Sequence, residues 1–389
     1  MDSSAEHGRA PVLSPVCGDP AVGGEGPPEL LIPDETPYEQ WQELRRGRLG
    51  ASDAGAILAW AEDWPAKHRP YGSALSCAHR LAGLSAYDGG PVEWGSRAAA
   101  ECGRVWEDGC WEMYRARMPH VIDQGKPGTF SLCGSDVVVA TPDRLISDPT
   151  RPEGSRDGLC QIKIVFSTGA ARWREDGEIR PPQYVVAQCV QEMAVMGRSV
   201  NDLAAFIDGT PHVWRIEWDP GMWDAISRGI GDLLDVIENK RWHELIDGTQ
   251  DASAAVTKQA AAEPGSESID LGDGWPERLR HLESLKDLKK QTEHDIREIE
   301  TLLRYDLDGS EMGICDGWRI SCREQERRTV DTKALKASQP DVWREFMKTT
   351  RTRGTIRIRR DQDAARKEDA QNAGPATTHH DDLRATEDR

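Results

Sequence analysis

Nowhere in this chain is there an uninterrupted apolar run of about 18 residues, and no basic segment followed by a hydrophobic one marks its start. A transmembrane helix and a secretory signal are therefore not expected, and the chain reads as cytosolic. Nine cysteines occur without a single C-x-x-C pair, a pattern that suits reduced thiols better than a disulfide framework. Cys315 and Cys322 stand seven apart with no third Cys after them, which argues against an iron–sulfur cluster. His and Cys never gather at zinc-ligand spacing. Basic surplus is also missing: 49 Lys and Arg face 67 Asp and Glu, a net charge of −18 that, read naively, argues against a polyanionic partner. Apolar residues make up only 38%, while Gly and Pro are plentiful and 14 Trp are present. A real core flanked by polar stretches is the expectation, and 389 residues allow two folded units.

Composition divides the chain. Residues 1–34 read as a disordered acidic leader, 35–248 as the main domain, 249–275 as an Ala/Ser/Gly/Glu linker, 276–360 as an accessory region and 361–389 as a tail. Within the main domain, Pro37 to Trp60 predicts two helices joined at Gly50-Ala-Ser-Asp53, with Ser52 or Asp53 as the second helix's cap. Ala98 to Arg117 predicts a helix with Trp106, Cys110 and Met113 near one face. Strands are expected at 129–132, 136–140, 159–165, 203–208 and 212–218, with a helix at 182–196 before the last two. That order is mixed α/β. In the accessory region, Leu282, Leu285, Leu288, Thr292, Ile296, Ile299 and Leu303 recur at steps of three or four, the mark of a long amphipathic helix. Such a helix either folds onto its own domain or faces a partner as a coiled coil. Strands are expected within 312–323 and 354–359, around a short helix at 342–347.

Ala140-Thr-Pro-Asp143 is followed eighteen residues after the aspartate by Gln161-Ile-Lys163 inside an apolar run. Strand alternation puts Gln161 and Lys163 on one face and Ile162 on the other. A carboxylate at a hairpin start opposite such a pair suits a divalent cation held beside a cationic amine. Mg²⁺ needs only two or three protein oxygens because it keeps several waters. The spacing alone is equally compatible with an edge strand carrying two solvated polar residues.

Five blocks in order extend the pattern: Trp41-Gln-Glu-Leu-Arg-Arg-Gly-Arg-Leu-Gly-Ala-Ser-Asp53, Gly103-Arg-Val-Trp-Glu107 with Tyr114 beyond it, Ala140-Thr-Pro-Asp143, Gln161-Ile-Lys163, and Pro181-Pro-Gln-Tyr184-Val-Val-Ala-Gln188-Cys-Val-Gln191. Over roughly residues 36–220 they resemble the YqaJ-type viral recombinases, the family of lambda exonuclease within the PD-(D/E)xK nucleases. The resemblance implies a restriction-endonuclease-like α/β core with added helices, followed by a helical and small β accessory region. It implies a Mg²⁺-dependent exonuclease, with Mn²⁺ as a substitute ion, that digests linear double-stranded DNA from 5′ ends in phage or prophage recombination. Asp143 would be the central metal ligand, Lys163 the catalytic lysine, and Glu107 and Gln161 the remaining ligands. Arg45 and Ser52 would grip the 5′-phosphate, and Gln188 and Tyr184 would line the site. Partners implied are double-stranded DNA ends, a single-strand annealing protein and further copies of the chain in a ring, in the cytoplasm of a bacterial host.

Two positions depart from the family pattern. Gln161 stands where Glu or Asp is usual, leaving the site one negative charge poorer and keeping open a weakened or silent DNA-end binder. Arg144 stands where Gly is common, facing either DNA or solvent. The accessory region holds a basic strip, with six bases and no acid over 348–360. It reads as a phosphate-binding face or as a solvated one paired with acidic segments. Residues 1–40 and 361–389 together supply −11 of the −18, so bulk acidity does not exclude DNA.

Overall fold

The computed structural model describes residues 28–84, 94–259, 268–324, 326 and 330–347. The chain forms two units, Met1–Ala261 and Ala262–Arg389. The first opens with β1 (Glu29–Ile32), α1 (Tyr38–Leu44), a 3-10 turn at Ala51–Asp53, α2 (Ala54–Ala61), α3 (Ala74–Leu81) and α4 (Trp94–Arg117). Next come β2 (Ile122–Gly125), β3 (Thr129–Ser131), β4 (Val139–Ala140), β5 (Arg144–Ser147), β6 (Asp157–Val165), α5 (Ser167–Ala170), β7 (Arg174–Glu175) and β8 (Glu178–Ile179). It closes with α6 (Gln183–Met196), β9 (Val200–Ile207), β10 (Thr210–Glu217), α7 (Pro220–Glu238) and α8 (Gln250–Gln259).

The main sheet runs β10-β9-β6-β5-β2 and is mixed, with β6 and β9 parallel and the other pairs antiparallel. A parallel pair needs a crossover, and the stretch containing α6 supplies it. β6 is therefore central, buried on both faces. Cys160 and Ile162 pack with Cys110, Trp111 and Tyr114 of α4, while Leu159 joins the core formed by α2, α6 and α7. The edge-strand alternative for Gln161 and Lys163 is thus excluded: Gln161 is 4% exposed and lies inside a helix–sheet–helix sandwich.

Small residues set the closest approach. The α2 sequence Ala-Gly-Ala-Ile-Leu-Ala-Trp-Ala is buried along most of its length, and a Cβ on Gly55 would come within 2.5–2.9 Å of Tyr184 side-chain and backbone atoms of α6. Only glycine lets α2 cross α6 at that point. A second sheet, β1-β3-β4, sits beside this crossing.

Several expectations need correction. The supposed leader ends too late: Glu29–Ile32 pairs with β3 as β1, and Ile32 is fully buried. The supposed linker contains α8, whose Ala252 and Ala255 pack into the main core, and Asp251 Oδ2 accepts from Ser73 N–H (2.9 Å) and Ser73 Oγ (2.8 Å). Alanine suffices there because α3 lies close. On α4 the buried face is Cys110, Trp111 and Tyr114, whereas Trp106 and Met113 are exposed; Trp111 and Tyr114 stack at 5.2 Å and cover the sheet. Asp53 does not cap α2 but accepts from Gly50 N–H. The sequence reading omits β2, β5, α3 and α7; the two strands are only four residues long, but α7 buries Trp223, Ile226, Ile230, Leu233 and Val236 at steps of three and four behind an Asp219 cap, a helical signal that was present in the sequence. Residues 1–27, the basic strip at 348–360 with its expected strand, and the tail at 361–389 lie outside the described residues.

The second unit holds α9 (Trp275–Leu307), a hairpin of β11 (Met312–Cys315) and β12 (Trp318–Ser321), α10 (Thr332–Ser338) and α11 (Pro340–Glu345). None of its described residues is buried. Among the described residues no helix is long and apolar enough to cross a membrane.

Candidate active site

The β5–β6 register pairs Arg144 with Cys160, so one step back along β5 brings Asp143 across from Gln161. Asp143 Oδ2 accepts from the Ile162 backbone N–H at 2.7 Å and from Gln161 Nε2. Burial raises its pKa to about 6, helped by the charge of Glu107, while Lys163, the Ile162 N–H and Arg144 pull the other way. Gln161 Nε2 also donates to the Ile162 carbonyl at 3.2 Å, and this leaves Gln161 Oε1 buried without a hydrogen-bond partner.

Two residues along β6, on the same face, Lys163 Nζ donates to Gln188 Oε1 of α6 at 2.7 Å. Gln188 Nε2 donates in turn to Glu192 Oε1, one helical turn further, at 2.8 Å. Glu192 Oε2 accepts from Asn201 Nδ2 of β9 at 2.8 Å. Glu192 is fully buried, and burial together with the negative charge of Asp143 pushes its pKa up to about 7. Two hydrogen bonds thus link the strand lysine to a carboxyl in the core, and a third ties that carboxyl to β9.

Glu107 enters from α4. Its Oε1 pairs with Arg144 Nη1 at 2.8 Å and with Lys126 Nζ at 2.9 Å, while Asp108 Oδ1 pairs with Arg144 Nη2 at 2.6 Å. Arg144 also donates to the Asp143 carbonyl at 2.7 Å and is 4% exposed. The open question about Arg144 is thereby answered: it points neither to solvent nor outward to a ligand but ties α4 to the turn that carries Asp143.

Arg45 and Ser52 belong to a second cluster. The Arg45 guanidinium lies against Gly50, where an added Cβ would fall 1.6 Å from Nη2, and 4.8 Å from the Trp41 ring centroid. Burial lowers the Arg45 pKa, opposed by Asp53, and the charge of Arg80 adds to the lowering. Arg80 pairs with Asp53 at 2.6 Å. Ser52 is exposed in the 3-10 turn. This segment is held to the sheet by Leu49, whose N–H donates to the Val137 carbonyl at 2.7 Å and whose carbonyl accepts from Val139 N–H at 2.9 Å. Tyr184 is half-buried against Gly55, with Arg172 as its charged neighbour.

The structure therefore brings Asp143, Gln161, Lys163, Glu107 and Gln188 together and places Arg45, Ser52 and Tyr184 around the α2–α6 crossing. Sequence reading missed Glu192, Asn201, Lys126 and Arg80. Glu192 had a usable signal, because it follows Gln188 by four and so shares its helix face. Lys126 and Arg80 had none, since they meet their partners only through the fold.

A divalent cation fits the donors present. Gln161 offers a buried oxygen with no other partner, Asp143 is a carboxyl whose ionisation burial opposes, and Glu107, whose charge acts on Asp143 from α4, would add a third oxygen. Oxygen-only donors favour Mg²⁺ or Mn²⁺ over softer metals.

Residues 40–199 match the YqaJ-like viral recombinase domain family, the family the motifs had indicated. The chain is 23% identical over 330 residues to the uncharacterized protein YqaJ of Bacillus subtilis (strain 168), covering 82% of this chain and 93% of that protein. Among solved structures it is similar to an alkaline exonuclease from Laribacter hongkongensis, with 21% identity and a TM-score of 0.38 over 52% of this chain and 96% of that one. The same exonuclease in complex with dAMP gives a TM-score of 0.39, with 21% identity over 52% of this chain and 94% of that one.

Proposed function

We propose that this chain, which carries a YqaJ-like viral recombinase domain over residues 40–199, is a Mg²⁺-dependent deoxyribonuclease. On this reading it degrades linear double-stranded DNA from 5′ ends and leaves 3′ single strands for recombination in a bacterial host cell. The observation that carries the reading is the Asp143 carboxylate, set against Gln161 and followed on the same strand face by Lys163. Asp143, Gln161 Oε1 and Glu107 would hold the ion. When bound, it supplies a water of lowered pKa and offsets charge on the phosphodiester.

The chain's own residues do the rest. Lys163 Nζ, anchored by Gln188, is aimed by an acceptor and keeps further donor protons for the attacking water or a phosphate oxygen. Gln188 is itself fixed by Glu192, so the lysine is positioned before substrate arrives. Arg144 and Lys126 hold Glu107 in place. Arg45 and Ser52 would bind the 5′-terminal phosphate, Arg45 through a guanidinium fork, with Tyr184 lining the path. Further copies in a ring and a single-strand annealing protein complete the proposal.

A second reading has an observation in its favour. The Gln161 amide already donates to Asp143, and two cations already pair with Glu107, so an ion would compete with partners that are in place. A DNA-end binder with weak or no cleavage is the alternative. Purified protein incubated with 5′-phosphorylated linear duplex, closed circles and single strands, in Mg²⁺ or EDTA, separates the two. The nuclease reading expects Mg²⁺-dependent loss of linear duplex only, abolished in Asp143→Ala and Lys163→Ala. Intact duplex at every Mg²⁺ concentration, with end binding retained, establishes the alternative.

A further inference from the structure

The C-terminal unit has an apolar helix face, and none of its described residues is buried. Along the 33-residue α9, Leu282, Leu285, Leu288, Ile296, Ile299 and Leu302 are each between 37% and 62% exposed. A helix of this length extends about 50 Å, and an uncovered stripe along it is costly in water.

The stripe is symmetric about Thr292. Leu288 and Ile296 lie four residues to either side, Leu285 and Ile299 seven, and Leu282 and Leu302 ten. A sequence that repeats its apolar spacing in both directions can meet a second copy of itself running the opposite way, with seam residues equidistant from the centre packing at the same level. The Thr292 hydroxyl is already satisfied by the Leu288 carbonyl at 2.9 Å, so two threonines can meet at the centre without leaving a donor unpaired.

Flanking charges pair by side, because a two-fold axis at Thr292 sets each flank of the helix against the same flank of its copy: on one flank Lys286 meets Glu300 of the second copy and Lys289 meets Glu293, each pair of opposite sign. Trp275–Gln291 carries a net +2 and Thr292–Leu307 a net −3, so a parallel pairing would align like halves and an antiparallel one opposite halves. We infer that α9 pairs with α9 of a second copy of this chain as an antiparallel coiled coil whose two-fold axis passes at Thr292. The contact is isologous, so each charge pair is made twice. It is independent of the catalytic residues.

The test is sedimentation velocity of the full chain over a concentration series, with K286E, E300K and K286E/E300K, all at exposed positions where the helix tolerates either charge. Each single reversal should weaken α9-dependent association on the order of tenfold, since two like-charge contacts replace two attractive ones. The double reversal restores the pairs and should return the dissociation constant to within about threefold of wild type. Lys286 and Glu300 are fourteen residues apart on one helix and cannot pair within a chain, so rescue reports pairing between antiparallel copies. Three results overturn the inference: a monomer at all concentrations, single reversals that leave association unchanged, or a double variant no better than the singles. The second is also what a ring built by the first unit alone, a foreign protein on α9, or α9 folded onto its own chain predicts.

Discussion

Lys163 Nζ and Gln188 Oε1 are joined by a 2.7 Å hydrogen bond that links the central strand to the helix crossing over it. Because Gln188 is held from behind by Glu192, and Glu192 by Asn201, the lysine's position depends on a buried carboxyl more than one helical turn away. Buried networks of this kind are rigid when fully satisfied and costly when broken.

Glu192 makes that dependence measurable through pH. Its folded-state pKa of about 7 lies above its ordinary value, as does that of Asp143 at about 6, so in the folded state both hold protons the unfolded chain has released. Their contribution to stability is complete below about pH 4, declines as pH rises, and is gone above about pH 7. Urea denaturation in EDTA should therefore show stability falling between pH 5 and 7. Glu192→Gln should flatten that slope and leave the protein at least as stable as wild type at pH 8. The amide fits because Asn201 Oδ1, buried without a partner, can accept from it once Asn201 turns. A slope as steep in the variant as in wild type means that Glu192 is not the titrating group.

Gln161→Glu should act in opposite directions with and without metal. In EDTA it sets a carboxylate where an amide now donates to Asp143, and like charges at that distance repel. A loss of about 1–2 kcal/mol is expected, a Tm drop of roughly 2–6 °C. Saturating Mg²⁺ should reverse the order, and half-maximal binding should come at a lower Mg²⁺ concentration, since the site gains a charged oxygen. Differential scanning fluorimetry across a Mg²⁺ titration reads both. An unchanged or higher Mg²⁺ requirement removes Gln161 from the ligand set.

Arg144→Ala should be among the most destabilising substitutions in the first unit. It strips a 4% exposed guanidinium from Glu107, Asp108 and the Asp143 carbonyl. Breaking a buried pair costs about 3–5 kcal/mol, and Lys126 softens this by remaining beside Glu107, so about 2–3 kcal/mol is expected. Asp108→Ala, at a carboxylate whose side chain is 77% exposed, should cost under about 1 kcal/mol. Chemical denaturation of both variants tests the ranking, and equal losses would show that Arg144 acts through something other than its buried face.

Much of this site was readable before any coordinates. Asp143, Gln161 and Lys163 announced themselves because strand alternation has a period of two and a hairpin pairs nearby segments, so sequence distance translates directly into space. Arg144 was unreadable for the opposite reason: its partners lie 36 and 37 residues away on a helix, with no local spacing to connect them. The linker reading failed at α8 because an alanine-rich segment looks unable to bury area, yet alanine is what a close helix–helix contact requires. α9 is the reverse case. Its apolar spacing was plain, but its symmetry about Thr292 matters only once the structure shows that none of its residues is buried.

Gly50→Ala offers the sharpest test of the Arg45 cluster. A methyl group there would sit 1.6 Å from Arg45 Nη2, but the obstructed atom is the far end of a flexible side chain, so the guanidinium can swing aside while the backbone stays put. Gly50 itself has φ −78 and ψ 162, an extended conformation open to alanine, and its N–H bond to Asp53 is unaffected. Stability should thus change by less than about 1 kcal/mol. What changes is the direction of the one charge expected to recognise a 5′-phosphate. Competition between 5′-phosphorylated and 5′-hydroxyl duplex ends should show the phosphate preference falling by about tenfold or more, with binding to 5′-hydroxyl ends little altered, because only the charge-assisted contact is lost. A preserved preference in a folded Gly50→Ala protein would take Arg45 out of the phosphate site and leave Arg80, pinned to Asp53 across the same turn, as the remaining cation of that cluster.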